Sequence, residues 1–146
     1  MKNIFFVLLV FSALIFSLDA GERQKGDIRV EMYGFEHNKG SVRLSLFDDS
    51  DAFPTESEKA IMKESSRIKN KKAVVIFKDV PFGNYAISVH HDENGNDEFD
   101  TNFLGIPSEG YGASNDAKGS FGPPKFEDAK FILDSKEIKL KIKMNY

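Results

Sequence analysis

The residues whose side chains could bind a metal ion form one loop rich in side-chain oxygens. This loop follows directly after a predicted strand. Its side-chain oxygens recur at alternate positions, in a D-x-N-x-N-x-x-x-D spacing. In a tight loop this spacing turns the oxygens toward one centre, as proteins do to hold a hard cation such as calcium. The sequence therefore predicts a calcium site. Its ligands are the side chains of Asp92, Asn94, Asn96 and Asp100 and the backbone carbonyl of Glu98.

This loop departs from the helix-loop-helix calcium site at two positions. Its sixth residue is Asp97, where that site needs Gly, and its twelfth is Phe103, where that site has a bidentate Glu. A missing ligand could come from Glu109 after a fold-back of the chain. The alternative interpretation is that Asp, Asn and Gly simply form turns, because their side chains bond to the local backbone and tolerate positive φ.

The 101–128 segment has no periodic hydrophobic pattern and is rich in Gly, Pro and aromatic residues. Connections of this length are often functional loops. One interpretation is an interaction surface for a protein or a glycan, in which Tyr111 and Phe121 present flat faces. The other is that the aromatic side chains turn inward and hold the segment over the open end of the fold.

An alternative function is a small-ligand site or an enzyme pocket beneath this segment. Its candidate residues are His91, Glu109, Tyr111 and Phe121. The neighbouring His90 and His91 should face opposite sides of a strand, so they are poorly placed to share one metal. The sequence contains no G-x-S-x-G or H-E-x-x-H motif and no phosphate-binding glycine loop, which favours a non-enzymatic protein.

Composition excludes several classes of protein. The chain has no cysteine, so disulfides and thiolate zinc sites are excluded. With 20 Lys and Arg against 23 Asp and Glu, the formal net charge is −3. This mild acidity gives no electrostatic reason to expect nucleic acid as a partner.

Residues 1–20 have the pattern of a secretory signal peptide. Lys2 is followed by an apolar run over residues 4–18, and Asp19 and Ala20 end it. The run is short for a membrane span, which needs about 20 apolar residues. We therefore expect export to the periplasm or the outside of the cell, no membrane span after cleavage, and one domain over residues 21–146.

Period-two alternation of apolar and polar residues predicts strands through most of that domain. Residues 28–33 and 42–47 are interpreted as a hairpin, and further strands are predicted at 73–77, 85–90, 129–133 and 138–146. Between the predicted strands at 42–47 and 73–77, Thr55 and Glu58 could cap one short helix. The competing interpretation is a strand over 62–68. This pattern predicts an all-β, antiparallel sandwich of immunoglobulin-like or transthyretin-like kind.

Several motifs from residue 81 onward also resemble those of a bacterial family of small exported proteins, domain of unknown function 2141. They are HDENGN at 91–96, DTN at 100–102, LGIP at 104–107, EGYG at 109–112, SN at 114–115, FGPP at 121–124 and FEDA at 126–129. The resemblance implies an exported β-sandwich whose molecular activity is not established. The VPFGNY motif at 80–85 is similar to that of transthyretin-like and carboxypeptidase regulatory-like modules, which commonly act as adhesion, stalk or binding units.

Overall fold

Residues 23–146 are described by this computed structural model, and the predicted signal peptide lies outside them. Eight strands and very little helix make up these described residues. The strands are β1 (Lys25–Tyr33), β2 (Ser41–Phe47), β3 (Met62–Arg67), β4 (Lys72–Pro81), β5 (Gly83–Asp92), β6 (Tyr111–Ala113), β7 (Phe131–Leu133) and β8 (Glu137–Lys143). One four-residue helix, α1 (Phe126–Ala129), and two 3-10 turns (Ser57–Lys59 and Ser114–Asp116) complete the fold.

These strands form two sheets, which confirms the predicted all-β sandwich. The smaller sheet has the order β4-β1-β8, and the larger has the order β3-β2-β5-β6, with β7 also paired to β5. Apolar residues at alternate positions of the strands pack between the two sheets as the main core. Both sheets and the core between them lie within residues 23–146.

Two details of strand pairing differ from the prediction. The strands β1 and β2 do not form a hairpin, since β1 pairs with β4 and β8 whereas β2 pairs with β3 and β5. In addition, β1 and β8 run parallel, although all the other strand pairs are antiparallel. Alternation shows which face of a strand is buried but does not show its neighbour, so neither detail was visible in the sequence.

The competing strand interpretation of residues 62–68 is the correct one. Strand β3 occupies Met62–Arg67, and the 3-10 turn before it has no side-chain cap at its start. The predicted cap formed by Thr55 and Glu58 was therefore wrong. Strand β3 lies at the edge of the larger sheet and is mostly exposed, which explains its weak hydrophobic pattern.

A second, smaller core lies beneath the end of the 101–128 segment. The ring of Phe53 packs edge-on against Phe47 and Phe126, with centroid distances of 5.5 Å and 5.9 Å. Part of the segment is therefore held by an inward-facing aromatic residue, as one of the two interpretations predicted. Among residues 23–146, no helix is both long enough and apolar enough to cross a membrane.

A buried hydroxyl connects this region to the larger sheet. Strand β6 pairs with residues 88–90 of β5, and β7 pairs with residues 83–85. Between these pairings, Ser114 Oγ accepts a hydrogen bond from the Ile87 N–H (2.9 Å) and donates one to the Ala129 carbonyl (2.6 Å). The side chain of Ser114 thus satisfies two backbone groups that no strand partner satisfies.

Replacing this hydroxyl should be costly. We expect Ser114→Ala to lower the free energy of unfolding by about 2–4 kcal/mol, because it leaves a buried N–H and a buried carbonyl without a partner. Urea unfolding of residues 21–146 measures the loss. The exposed Ser120 provides a matched control, and equal effects of Ser114→Ala and Ser120→Ala would contradict this role.

Candidate functional site

The 92–100 loop begins where β5 ends, and its first residue is fully buried. Both oxygens of the Asp92 carboxylate accept hydrogen bonds from the protein: Oδ1 from the Gly95 N–H (2.7 Å), and Oδ2 from Arg43 Nε (2.9 Å) and the Asp97 N–H (3.3 Å). Burial raises the pKa of Asp92, but these donors outweigh it, so the pKa lies below its usual value. Asp92 is therefore an ionised side chain that shapes the loop and bonds to a neighbouring strand.

The exposed residues of the loop converge on Asp100. The side-chain amide of Asn94 donates to Asp100 Oδ2 (2.6 Å), and that of Asn96 donates to both carboxylate oxygens (3.1 Å and 3.2 Å). The amide oxygens of Asn94 and Asn96 accept the backbone N–H groups of Asn96 and Glu98, each at 2.9 Å. The loop thus forms successive Asx turns, which is the alternative interpretation of its composition.

This geometry shows which of the predicted ligands could face a cation. The carboxylate of Asp92 is engaged with Arg43, whereas Asn94, Asn96 and Asp100 meet at the loop surface. Within residues 23–146, no three His, Cys, Asp or Glu side chains are grouped to hold a metal. A cation here would have to be bound mainly by amide and carbonyl oxygens around one carboxylate.

Glu109 folds back against both ends of this loop, as the sequence analysis anticipated. It is 5% exposed. Its Oε1 accepts the Glu93 N–H (2.9 Å), and its Oε2 accepts the Asp100 N–H (3.2 Å) and His90 Nε2–H (2.8 Å). Burial raises the pKa of Glu109, but these donors outweigh it and lower the pKa overall. In this arrangement Glu109 accepts hydrogen bonds from the backbone and positions the loop.

His91 is enclosed beneath the same loop, with both ring nitrogens engaged. Nε2 lies 2.7 Å from the Lys39 carbonyl, which can only accept a hydrogen bond, so Nε2 carries the proton. Nδ1 lies 2.7 Å from the hydroxyl of Tyr146. The rings of Phe35 and Tyr146 pack edge-on against the imidazole. His91 is thus a core residue with satisfied hydrogen bonds.

The other candidate ligand-binding residues are not gathered around His91. Tyr111 lies in β6, where its backbone pairs with His90 and Asn145. Phe121 is completely exposed. A shallow groove of about 400 Å³ lies instead between residues 50–55 and 123–127. None of the four residues proposed for a ligand pocket lines this groove.

Residues 100–108 form a short hairpin, hereafter the apolar hairpin. Thr101 and Pro107 form a β-bridge, and the Asn102 N–H donates to the Ile106 carbonyl (2.8 Å). At the tip, the side-chain oxygen of Asn102 accepts the N–H groups of Leu104 (2.9 Å) and Ile106 (3.1 Å). Gly105 has φ +76°, a conformation that favours glycine. Residues 102–106, the tip of the apolar hairpin, therefore have a defined backbone conformation.

The apolar hairpin presents its large side chains to solvent. The exposed fractions are 95% for Phe103, 68% for Leu104 and 54% for Ile106. Three neighbouring apolar residues on an ordered turn cannot be explained by packing within this chain. No lysine or arginine occurs between Lys78 and Lys118, and Arg43 of β2 pairs with Asp97 beside this segment.

Sequence reasoning missed Arg43 and Tyr146 as parts of this region. Arg43 is 49 residues from Asp92, and Tyr146 is 55 residues from His91. These contacts follow from the register of β2 with β5 and from the path of the chain after β8. The only available signal was the charged, outward-facing position of Arg43 in β2.

Comparison with known proteins gives one match. The model of a family described as "Uncharacterized protein conserved in bacteria (DUF2141)" matches residues 30–141. No curated protein and no solved structure matches the chain.

The role of Glu109 predicts a dependence of stability on pH. Its folded pKa lies below that of an unfolded Glu, about 4.3. Its stabilising contribution is therefore complete above that pH and is lost as the pH falls through the folded pKa. We expect Glu109→Gln to cost about 1–3 kcal/mol near neutral pH and progressively less in acid, as measured by urea unfolding at a series of pH values.

The exposed Glu98 serves as the control, because its carboxylate has no hydrogen-bond donor among residues 23–146. Glu98→Gln should leave the pH dependence unchanged. A constant difference between Glu109→Gln and the unmodified protein at every pH would show that the Glu109 carboxylate is not the titrating group.

Proposed function

The chain belongs to the DUF2141 family of uncharacterised bacterial proteins, and from this premise we propose that it is an exported, non-enzymatic binding module. The 101–128 segment is its interaction surface, and the apolar hairpin is the part that contacts the partner. The observation that carries this proposal is the exposure of Phe103, Leu104 and Ile106 on a turn that polar groups keep ordered.

The chemistry of the tip favours a protein partner over a glycan. Two of its three apolar side chains are aliphatic and offer neither a flat face nor a hydrogen bond to a sugar. An apolar pocket of another protein would remove them from water, at roughly 25 cal/mol per Å² of apolar surface. Glu98 and Asp100 flank the tip, whereas Asp97 is paired with Arg43. Because two carboxylates thus lie beside the tip, the rim of that pocket should be basic.

Export is supported by residues 1–20 and by the composition. The charged start, the short apolar run and Ala20 match a cleaved signal. The domain from residue 21 onward would then act in the periplasm or outside the cell. A cysteine-free domain keeps the same covalent structure in an oxidising compartment.

Calcium binding by the 92–100 loop is the second part of the proposal. Rotating the side-chain amides of Asn94 and Asn96 by 180° would direct two oxygens toward Asp100, where the backbone carbonyl of Glu98 could add another. This rotation would break the two hydrogen bonds from the backbone N–H groups of Asn96 and Glu98, so cation binding would have to replace them. Asp92 would orient the loop, since Arg43 already neutralises it. With one free carboxylate, the affinity should be as weak as in extracellular calcium modules, with Kd on the order of 0.1–1 mM.

The docking role predicts a variant that loses binding but not stability. Because Phe103 and Leu104 are exposed, replacing both with Ser should change the free energy of unfolding by less than about 0.5 kcal/mol. Phe126→Ser, at a buried ring of the same segment, should cost about 3 kcal/mol or more. Thermal and urea unfolding of residues 21–146 distinguish the two, and similar losses would mean that the tip is structural.

Photocrosslinking in the native cell then tests contact with a partner. A photoreactive phenylalanine at position 103 should give a discrete protein adduct that Leu104→Ser with Ile106→Ser abolishes. The same probe at Ile132, which is exposed on β7, is the control. Identical adducts from both positions, or none from position 103, would contradict docking through the tip.

Calcium binding predicts a metal-dependent melt. After chelation, about 10 mM calcium should stabilise the protein by roughly 1.4 kcal/mol if Kd is about 1 mM, raising Tm by about 3–6 °C. Asp100→Asn should abolish the shift, and Glu98→Gln should keep it because only its backbone carbonyl is a ligand. No shift, or one that persists in Asp100→Asn, would reduce the loop to a structural turn.

A further inference from the structure

The outward face of the sheet β4-β1-β8 includes three adjacent rows of three side chains, whose positions are fixed by strand register. Across the three strands, Arg29 lies beside Ile76 and Lys139, Glu31 beside Val74 and Lys141, and Tyr33 beside Lys72 and Lys143. The intervening residues of β1 point into the core. From strand geometry, this face measures about 13 Å along the strands and 10 Å across them.

This face has the opposite charge to the rest of the protein. Its three rows contain five cations and one carboxylate, and the adjoining row adds the carboxylates of Asp27 and Glu137. These eleven side chains carry a net charge of +2, on a chain whose formal net charge is −3. Glu31 is paired with Arg29 at 3.2 Å, and Lys139 pairs with Glu137 at 3.5 Å. Within residues 23–146, Lys72, Lys141 and Lys143 form no ion pair, so their charges face solvent uncompensated.

Apolar side chains share the face with these cations. The exposed fractions are 40% for Tyr33, 41% for Val74 and 38% for Ile76. In the larger sheet, β5 is flanked by other strands and its side chains are mostly covered. The face of the smaller sheet therefore combines uncompensated positive charge with apolar surface that nothing in the described chain covers.

We propose that this face docks onto an anionic lipid surface. The lysine and arginine side chains would contact the phosphate headgroups. Tyr33, between Lys72 and Lys143, would lie at the headgroup level, where aromatic rings with a polar end are favoured. The aliphatic side chains of Val74 and Ile76 would lose contact with water on binding, which adds to the electrostatic attraction.

The composition of the face distinguishes a lipid surface from a soluble polyanion. Recognition of a polysaccharide requires groups that orient its hydroxyls, but the three rows have no Asn, Gln or His side chain. A soluble polyanion would also leave Val74 and Ile76 in water. A membrane interface accommodates both the cations and the aliphatic residues. This site is separate from the apolar hairpin and from the 92–100 loop.

Co-sedimentation with vesicles tests the proposal, using residues 21–146 with a chelator present so that calcium plays no part. The protein should bind phosphatidylglycerol-rich vesicles and not vesicles of phosphatidylcholine alone, and binding should weaken as salt is added. Each lysine near an anionic surface strengthens binding roughly fivefold. The triple variant Lys139→Glu, Lys141→Glu, Lys143→Glu should therefore lose binding by about 100-fold or more.

A matched variant controls for net charge. Lys63, Lys118 and Lys125 are exposed and lie off this face, so changing these three to Glu alters the net charge equally but should largely preserve binding. Equal losses in both triple variants, or no binding of the unmodified protein to the anionic vesicles, would overturn the proposal.

The double variant Val74→Ser with Ile76→Ser separates lipid from soluble polyanion. It should weaken vesicle binding severalfold and leave the thermal melt unchanged, because both positions are exposed. Dextran sulfate is the soluble comparison. If it binds as tightly as the vesicles at equal charge, and the double variant binds both as well as the unmodified protein does, then the face is a general polyanion site and the lipid proposal fails.

Discussion

The buried carboxylate of Glu109 holds this end of the sandwich together. A carboxylate removed from water is unfavourable unless donors surround it, and here the donors come from three places: the side chain of His90 on β5 and the backbone at Glu93 and Asp100. One side chain thereby fixes the start of the loop, its end and the base of the apolar hairpin. The hairpin can expose apolar residues because its position does not depend on burying them.

The fold class could be predicted because a strand with one buried face has apolar and polar residues at alternate positions. The last strand shows this most clearly, with lysines at every second position. The arrangement of strands could not be predicted in the same way, since alternation identifies a face and not a partner. Strand β3 was ambiguous for a related reason. Because an edge strand buries few side chains, its sequence shows little alternation of apolar and polar residues.

The position of the 92–100 loop could be predicted from the sequence, but the hydrogen bonds within it could not. The spacing of Asp92, Asn94, Asn96 and Asp100 suits both a cation and a series of Asx turns, because both use the same oxygens. The choice depends on groups distant in sequence, above all Arg43, whose guanidinium occupies the carboxylate of Asp92. The fold-back of Glu109 could be anticipated because it needs only a chain reversal at a Gly- and Pro-rich segment.

The parallel pairing of β1 with β8 has a consequence for folding. Strand β1 is the middle strand of the smaller sheet, yet one of its two neighbours comes from residues 137–143, more than 100 residues later in the sequence. Closing so long a loop is slow compared with forming a hairpin. The smaller sheet therefore cannot be completed until nearly the whole domain is available. One edge of β1 therefore stays unpaired until residues 137–143 are available to cover it.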